Sequence, residues 1–146
     1  MKYLAIDYGD ARTGICFSDR TGTLASRAET IAERDPRRLA SVISDMAKLE
    51  CVDEIVLGLP KNMNASEGSR AEKTREFAKL IAGKSELNVV FWDERLTSSS
   101  AHEILRVSGK KTVKHRKNID AVAASLILQG YLDYVSSMRA REEGNC

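Results

Sequence analysis

The fold is decided by residues 4–15, which read Leu4-Ala5-Ile6-Asp7-Tyr8-Gly9-Asp10-Ala11-Arg12-Thr13-Gly14-Ile15. An apolar run ends on the carboxylate of Asp7, the chain turns between Gly9 and Gly14, and a second apolar run follows. This pattern is typical of a β-hairpin. An ionised Asp is costly to bury unless its charge is compensated, although an Asp at a strand end also commonly accepts hydrogen bonds from turn amides. The stretch therefore predicts a hairpin with either a functional or a purely structural carboxylate at its turn.

Length and composition indicate one globular domain. The chain has 146 residues, of which 42% are hydrophobic and 30% charged, and these values are typical of a soluble protein with its own core. We assign the domain to residues 1–138 and a polar C-terminal tail to residues 139–146. The net charge is only +2, so any attraction to a polyanion must come from local patches.

Cysteine usage and hydropathy indicate a cytoplasmic protein. Cys16, Cys51 and Cys146 are odd in number, scattered and without metal-ligand spacing, which is typical of reduced thiols in a cytosolic chain. Asp7 and Asp10 interrupt the N-terminus too early for a signal peptide. The sequence contains no apolar run long enough to span a bilayer, so we expect no membrane partner.

The first third of the chain predicts three strands, over residues 2–6, 13–18 and 24–31. The turns between them are short, which favours an antiparallel meander. Asp35-Pro36 then predicts a helix start, with Asp as the N-cap and Pro at the first helical position. The apolar stripe of this helix comprises Leu39, Val42, Ile43, Met46 and Leu49.

The rest of the chain alternates strands and helices. Residues 54–57 are nearly all apolar, as in a buried parallel strand, and residues 88–92 form the next predicted strand. Between them, Ser69 and Glu72 have capping-box spacing for a helix that runs to residue 82 and stops at Gly83. A further helix is predicted after residues 97–100. Residues 108–117 are predicted as a basic loop, and Asn118 as the cap of a long last helix.

The predicted element order is β-β-β-α-β-α-β-α-α. A meander that leads into βαβ crossovers predicts an α/β protein with a mixed sheet. The first strand is expected to be central, with helices covering the faces of the sheet.

Three acids occupy positions where a site is expected. Asp7 ends the first strand, Glu94 follows the fifth, and Asp120 lies in the first turn of the predicted last helix. Ligand sites in open α/β sheets lie outside the carboxyl ends of the strands. Asp120 also has a simpler interpretation, because an acid in a helix's first turn complements the helix dipole.

Converging carboxylates would require cations. Three acids without cationic partners repel one another, and carboxylate oxygens are preferred ligands of Mg²⁺ or Mn²⁺. Two such ions can hold the attacking and leaving oxygens of a phosphodiester. The acids therefore predict a metal site for Mg²⁺ or Mn²⁺, with Asp7, Glu94 and Asp120 as both ligands and catalytic residues.

Four motifs together resemble the YqgF family, also called RuvX or Holliday-junction-resolvase-like proteins. They follow one another at the family's spacing over nearly the whole chain. Two departures occur in one loop: Asn64-Ala65 follows Asn62-Met63 where the family usually has Asp-Gly, and Lys61 is less usual at its position. The motifs are Asp7-Tyr8-Gly9 with Arg12-Thr13-Gly14, Gly58-Leu59-Pro60 with Ser66-Glu67-Gly68, Asp93-Glu94-Arg95-Leu96-Thr97, and Ile119-Asp120-Ala121 with Ile127-Leu128-Gln129.

The resemblance implies an RNase H-like fold, with a five-stranded sheet of order 3-2-1-4-5, strand 2 antiparallel and helices on both faces. It implies a metal-dependent nuclease that matures the 5′ end of 16S ribosomal RNA, and it assigns the catalytic acids to Asp7, Glu94 and Asp120. Family members have also been linked to branched DNA. A junction resolvase would act as a two-fold dimer, so both monomer and homodimer remain open.

Basic and polar residues near the acids are candidates for substrate binding. Cationic side chains beside a phosphodiesterase site hold the backbone of the substrate, whereas most charge runs are simply solvated. Arg95 has a second interpretation, in which it pairs with Asp93 or Glu94. The candidates are Arg12, Asn62, Ser66, Arg95, Lys114, Arg116 and Lys117.

Two other functions remain open. An Asp-x-Gly strand end followed by a glycine-containing hairpin also opens actin-like ATPases and sugar kinases, where the turn binds phosphates. Those enzymes close two such domains over the nucleotide, whereas this chain supplies one. The other alternative is a non-catalytic nucleic-acid-binding module that keeps the acids for structural reasons.

Overall fold

The computed structural model describes residues 1–59, 68–93 and 113–144, with side chains from residue 119 to 142 in the last helix. The polar loop after residue 59 and the helix predicted after residues 97–100 lie outside these ranges. The elements are β1 (Tyr3–Asp7), β2 (Thr13–Ser18), β3 (Ala25–Ile31), α1 (Pro36–Leu49), β4 (Glu54–Leu59), α2 (Ser69–Ser85), β5 (Asn88–Asp93) and α3 (Val113–Gly144).

The five strands form one mixed sheet of order β3-β2-β1-β4-β5. β2 pairs antiparallel with both β1 and β3, whereas β4 pairs parallel with β1 and β5. The predicted order and the central position of β1 are confirmed. The parallel pairs place the carboxyl ends of β1, β4 and β5 at one edge of the sheet.

Helices cover both faces of the sheet. Alternation along β1 directs Leu4 and Ile6 toward one face, where they pack with residues of α1 and α2. Tyr3 and Ala5 face the other side and pack against α3. The side chains of Leu4, Ala5 and Ile6 are completely buried, so β1 is hydrophobic on both faces, as a central strand should be.

Helix α1 begins as predicted but buries a different stripe. The Asp35 carboxylate accepts a hydrogen bond from the Arg37 N–H, and Pro36 is the first helical residue. Val42 and Leu49, predicted to face the core, are exposed. The buried row follows i, i+4 spacing through small residues, which lets α1 lie close to α2; its members are Leu39, Ala40, Ile43, Ser44 and Ala47.

The predicted ends of helix α2 are wrong. Gly68 is the N-cap and makes no side-chain capping bond, so Ser69 is the first helical residue and no Ser69–Glu72 capping box forms. The helix also continues past Gly83 to Ser85 and ends at Glu86 in the left-handed conformation. Buried Ile81 and Ser85 explain this extension, because tertiary packing outweighs the roughly 1 kcal/mol that an interior glycine costs.

Helix α3 is longer at both ends than predicted. It starts at Val113 rather than at Asn118, so residues 114–117 are helical and do not form a loop. No glycine or proline interrupts this basic segment, and Lys and Arg are good helix formers. The helix also continues through residues 139–144, which were predicted as a frayed tail.

Thiols and hydropathy give two further observations. Cys16 is buried, Cys51 is exposed, and both are free thiols. Among the described helices, none has the length and apolar character that crossing a bilayer would require.

Candidate active site

Asp7 is the last residue of β1 and lies at the carboxyl edge of the sheet. Its register partner on β2 is Gly14, and on the other side β1 pairs with β4 up to Ile6 and Leu57. Asp7 therefore ends a central strand that is buried from Tyr3 to Ile6, and Asp7 itself is partly exposed at the edge of the sheet. This position fits a functional carboxylate on a rigid support.

The turn after Asp7 is tightly folded. The Gly9 N–H donates a hydrogen bond to Oγ1 of Thr13, at 3.2 Å. A Cβ atom on Gly9 would lie 2.0 Å from the Arg12 carbonyl oxygen, so only glycine fits there. The turn thereby fixes the backbone on both sides of Arg12.

Arg70, near the start of α2, holds the same turn from outside. Its guanidinium donates a short hydrogen bond to the Tyr8 carbonyl and pairs with Oδ1 of Asp10 at 2.9 Å. The Tyr8 ring in turn stacks on Phe77 of α2, with ring centroids 4.4 Å apart. These contacts join α2 to the residues directly after Asp7.

Gly14 allows α3 to approach the sheet at the level of Asp7. A Cβ atom at residue 14 would lie 1.9 Å from the Asp120 carbonyl oxygen and 2.4 Å from its carbonyl carbon. The helix backbone therefore lies directly against β2. Because Gly14 is also the register partner of Asp7, this contact places Asp120 beside Asp7.

The electrostatics of Asp120 reflect its place beside Asp7. Burial raises the pKa of the Asp120 carboxyl above its usual value, the Asp7 carboxylate raises it further, and the Arg12 guanidinium acts in the opposite direction. Asp120 is the eighth residue of α3, and no acid lies in the helix's first turn. The helix-dipole interpretation of Asp120 is therefore wrong, because that interaction fades beyond the first turn.

Three of the predicted site residues are thus brought together, namely Asp7, Arg12 and Asp120. Glu94 lies outside the described residues, but Asp93 before it ends β5 at the same edge of the sheet. Asn62, Ser66 and Arg95 also lie outside the described ranges. The backbone of Lys114, Arg116 and Lys117 belongs to the first turns of α3, which corrects their predicted place in a loop.

Sequence reasoning did not single out Arg70 or Gly14 as site residues. Arg70 meets Tyr8 across 62 positions of the chain, and no local pattern signals such a contact. Gly14 was recognised as a turn glycine, but its closest neighbour is the backbone of Asp120. A glycine inside a strand signals a close backbone approach, and this signal was present in the sequence.

The acid pair fits a divalent metal ion. Asp7 and Asp120 offer carboxylate oxygens, the ligands that Mg²⁺ and Mn²⁺ prefer, and their mutual repulsion would be relieved by a cation. Within the described ranges, no group of three or more His, Cys, Asp or Glu side chains is close enough to hold a metal. The third predicted ligand, Glu94, falls outside those ranges.

A family model described as RuvX, Holliday junction resolvase, matches residues 1–134. The chain belongs to the RuvX family. The resemblance carried by the four motifs is confirmed. The family is described as a Holliday junction resolvase and its relatives bear a nuclease name, which supports a hydrolase acting on phosphodiester bonds.

Bacterial relatives of this RuvX chain bear the name "Putative pre-16S rRNA nuclease". The Agathobacter rectalis protein is 38% identical over 143 residues, covering 96% of this chain and all of the relative. The Ruminiclostridium cellulolyticum protein is 42% identical over 137 residues and covers 93% and 96% of the two chains. The Bacillus subtilis protein is 41% identical over 135 residues and covers 91% and 98%.

Solved structures confirm the RNase H-like fold of the RuvX chain. Thermus thermophilus RuvC in complex with a Holliday junction matches with a TM-score of 0.57 at 11% identity, covering 87% of this chain and 91% of that one. The fowlpox virus resolvase with Holliday junction DNA matches with a TM-score of 0.59 at 15% identity, covering 92% and 99%. At such low identity these similarities establish the architecture only.

Proposed function

We propose that this chain is a metal-dependent nuclease that processes the 5′ end of the 16S rRNA precursor. The observation that carries the proposal is the meeting of Asp7 and Asp120 at the carboxyl edge of the sheet, close enough for one charge to raise the pKa of the other. Electrostatic repulsion between two neighbouring carboxylates destabilises the fold unless a positive charge compensates it. A bound cation is the simplest compensation.

Asp7, Asp120 and Glu94 are the residues that would hold Mg²⁺ or Mn²⁺. When bound, the ions polarise the phosphate and make water a stronger nucleophile at neutral pH. The residues of the chain supply the rest. Arg12 beside the acids can hold a non-bridging phosphate oxygen, and the tight turn from Gly9 to Thr13 keeps it in place.

The RNA substrate is proposed from the relatives, which share about 40% of their residues with this chain over nearly their whole length. Branched DNA is the second candidate, because the family model is described as a Holliday junction resolvase. A resolvase that cuts two strands symmetrically requires a two-fold dimer. The mass of the protein in solution therefore bears on the choice.

The test compares cleavage of two substrates by three proteins. Wild type, Asp7→Asn and the matched control Asp19→Asn are incubated with Mg²⁺ or Mn²⁺ and either a 16S precursor fragment carrying its 5′ extension or a four-way DNA junction. Asp19 lies in the turn between β2 and β3, at the opposite edge of the sheet. Circular dichroism and thermal melts verify that each variant folds.

Wild type and Asp19→Asn should cleave the RNA, and Asp7→Asn should lose at least about 10³-fold in rate. That loss corresponds to several kcal/mol of transition-state stabilisation by the metal site. Unchanged cleavage by folded Asp7→Asn would refute the mechanism. Cleavage of the junction but not of the RNA would refute the proposed substrate.

A Mn²⁺ titration separates the nuclease from a non-catalytic binding module. We expect saturable Mn²⁺ binding to wild type that Asp120→Asn weakens. RNA binding without any saturable Mn²⁺ site would favour the module.

A further inference from the structure

A cleft of about 620 Å³ lies beside the acid pair, between the β1–β2 turn and the start of α1. Three arginines from three different segments converge on it. The lining residues are Ala11, Arg12, Ala32, Glu33, Arg34, Asp35 and Arg38.

The two acids of the cleft do not cancel its positive charge. Asp35 is engaged as the N-cap of α1, where Oδ1 accepts the Arg37 N–H at 3.0 Å. Its Oδ2 lies 3.7 Å from Nε of Arg38, whose side chain is 78% exposed and presents most of its guanidinium to solvent. With Arg12, Arg34 and Arg38 against Glu33 and Asp35, the cleft keeps a net positive charge.

Arg12 joins this cleft to the active site. It lines the cleft, and its charge also acts on the Asp120 carboxyl. A phosphate held by Arg12 would therefore be adjacent to the acids, and its neighbour along a strand would reach Arg34 and Arg38.

A second cavity, of about 500 Å³, lies on the other side of Arg34. Arg34 lines it together with Lys73 of α2. Two acids also line that cavity, Asp10, which is paired with Arg70 at 2.9 Å, and Glu76. Arg34 therefore lies between two openings that both present cationic side chains.

The lining chemistry points to a nucleic-acid backbone. Guanidinium groups match phosphate oxygens with two parallel hydrogen bonds. The apolar contribution to the cleft is limited to Ala11 and Ala32, so it has no aromatic surface on which a base would stack and little apolar surface to enclose a small ligand.

We propose that Arg34 and Arg38, with Arg12, bind the phosphates of the nucleic-acid strand that flanks the scissile bond. This inference rests on the proposed nuclease function and extends it by a defined substrate path. Neither Arg34 nor Arg38 was a candidate from the sequence, where Arg34 belongs to a connection and Arg38 to the first turn of the helix that follows it.

The test is RNA binding without cleavage. Affinity for a short, unstructured, 5′-labelled RNA is measured by fluorescence anisotropy in EDTA over a series of salt concentrations. The double variant Arg34→Gln/Arg38→Gln is compared with wild type and with Arg20→Gln/Arg139→Gln, which removes the same charge elsewhere. Arg20 lines a cavity at the opposite edge of the sheet. Arg139 is roughly 28 Å from Asp120 along α3, at 1.5 Å per residue.

We expect the Arg34/Arg38 variant to bind about tenfold more weakly at moderate salt. The slope of log K against log salt should become shallower by about 1.4, since each lost phosphate contact on a single strand changes it by roughly 0.7. The control variant should stay within about twofold of wild type, the variation expected of a surface change outside the path. Thermal melts verify that both variants fold.

Equal affinity and slope for the two double variants, or no RNA binding by wild type, would overturn the inference. A third outcome would also overturn it: wild type binds ATP saturably, and the Arg34/Arg38 double variant alone loses ATP binding while its affinity for RNA is unchanged. Failure of the nuclease proposal would look different, because RNA binding would then follow the expected pattern without any metal-dependent cleavage.

Discussion

The carboxylates near the two ends of strand β2 have pKa values shifted in opposite directions. At its start, beside the β1–β2 turn, burial and then the Asp7 carboxylate raise the pKa of Asp120. At its end, in the β2–β3 turn, backbone hydrogen bonds from Thr23 are the main reason that the pKa of Asp19 is lowered. Both turns are polar and solvent-accessible, so exposure alone does not explain the contrast.

At the edge that holds Asp19, hydrogen bonds and ion pairs stabilise the carboxylates. Oδ1 of Asp19 accepts the Thr23 N–H at 2.9 Å. At the same edge, Nζ of Lys2 lies 2.8 Å from the Glu50 carboxylate and Arg27 lies 3.0 Å from it, and the Lys2 hydrogen bond is the main reason that the pKa of Glu50 is lowered. At this edge, hydrogen-bond donors surround the Asp19 carboxylate and cations flank the Glu50 carboxylate.

The edge that holds Asp7 and Asp120 contains an unfavourable interaction between like charges. Helix α3 brings a second acid against the first, although Arg12 offsets part of the repulsion. We propose from this contrast that one edge of the sheet stabilises the fold and the other binds a ligand. Three predictions follow from it, in order of decreasing effect.

The largest effect is expected at the glycine that lets the acids meet. Gly14→Ala places a methyl group 1.9 Å from the Asp120 carbonyl oxygen, so α3 must shift. We expect a loss of about 3 kcal/mol in the free energy of unfolding, at the upper end of overpacking effects, together with weaker Mn²⁺ binding. Urea denaturation and a Mn²⁺ titration measure the two effects.

Gly83→Ala is the matched control. Nothing lies within 4 Å of a Cβ atom at this position in α2, so the same substitution should stabilise the helix by about 0.5–1 kcal/mol. Equal stability of the two variants would show that α3 does not lie against β2 as described.

A smaller effect is expected at the residue that holds the turn after Asp7. Arg70→Gln removes the charged donor to the Tyr8 carbonyl and the pair with Asp10. We expect a loss of about 1 kcal/mol, because the pair is partly exposed, and a roughly tenfold lower cleavage rate at saturating RNA.

Lys73→Gln is the comparison, since Lys73 approaches the same Asp10 oxygen at 3.8 Å but makes no bond to Tyr8. It should leave the maximal rate nearly unchanged. A loss of stability without any change in rate for Arg70→Gln would make Arg70 a purely structural residue.

The smallest effect is expected when aspartate is replaced by asparagine near either end of β2. Without metal, Asp120→Asn removes the repulsion with Asp7 and should raise the melting temperature by about 1–2 °C, the shift that roughly half a kcal/mol produces in a domain of this size. Asp19→Asn should lower it, because the carboxylate that accepts the turn amides is lost. Calorimetry in EDTA measures both, and a lower melting temperature for Asp120→Asn would remove the contrast between the two edges.

Local patterns predicted most of the fold. Alternation marked the strands, and Asp35-Pro36 marked the start of α1 within one residue. Most of the errors in this prediction lie at the ends of helices. Asn118 is a good N-cap, yet α3 begins five residues earlier, and Leu49 continues an apolar stripe but is 84% exposed at the end of α1.

By itself the sequence determined the strands and an acid at the end of the central strand, because alternation, turns and caps depend on near neighbours in the chain, whereas the full strand order came from the family resemblance. Only the tertiary structure decided that the Asp120 backbone lies against Gly14, that Arg70 holds the turn after Asp7, and that three arginines share one cleft. The physical reason is that the force between two charges depends on their distance in space, and that distance is set by how closely a helix packs on a sheet.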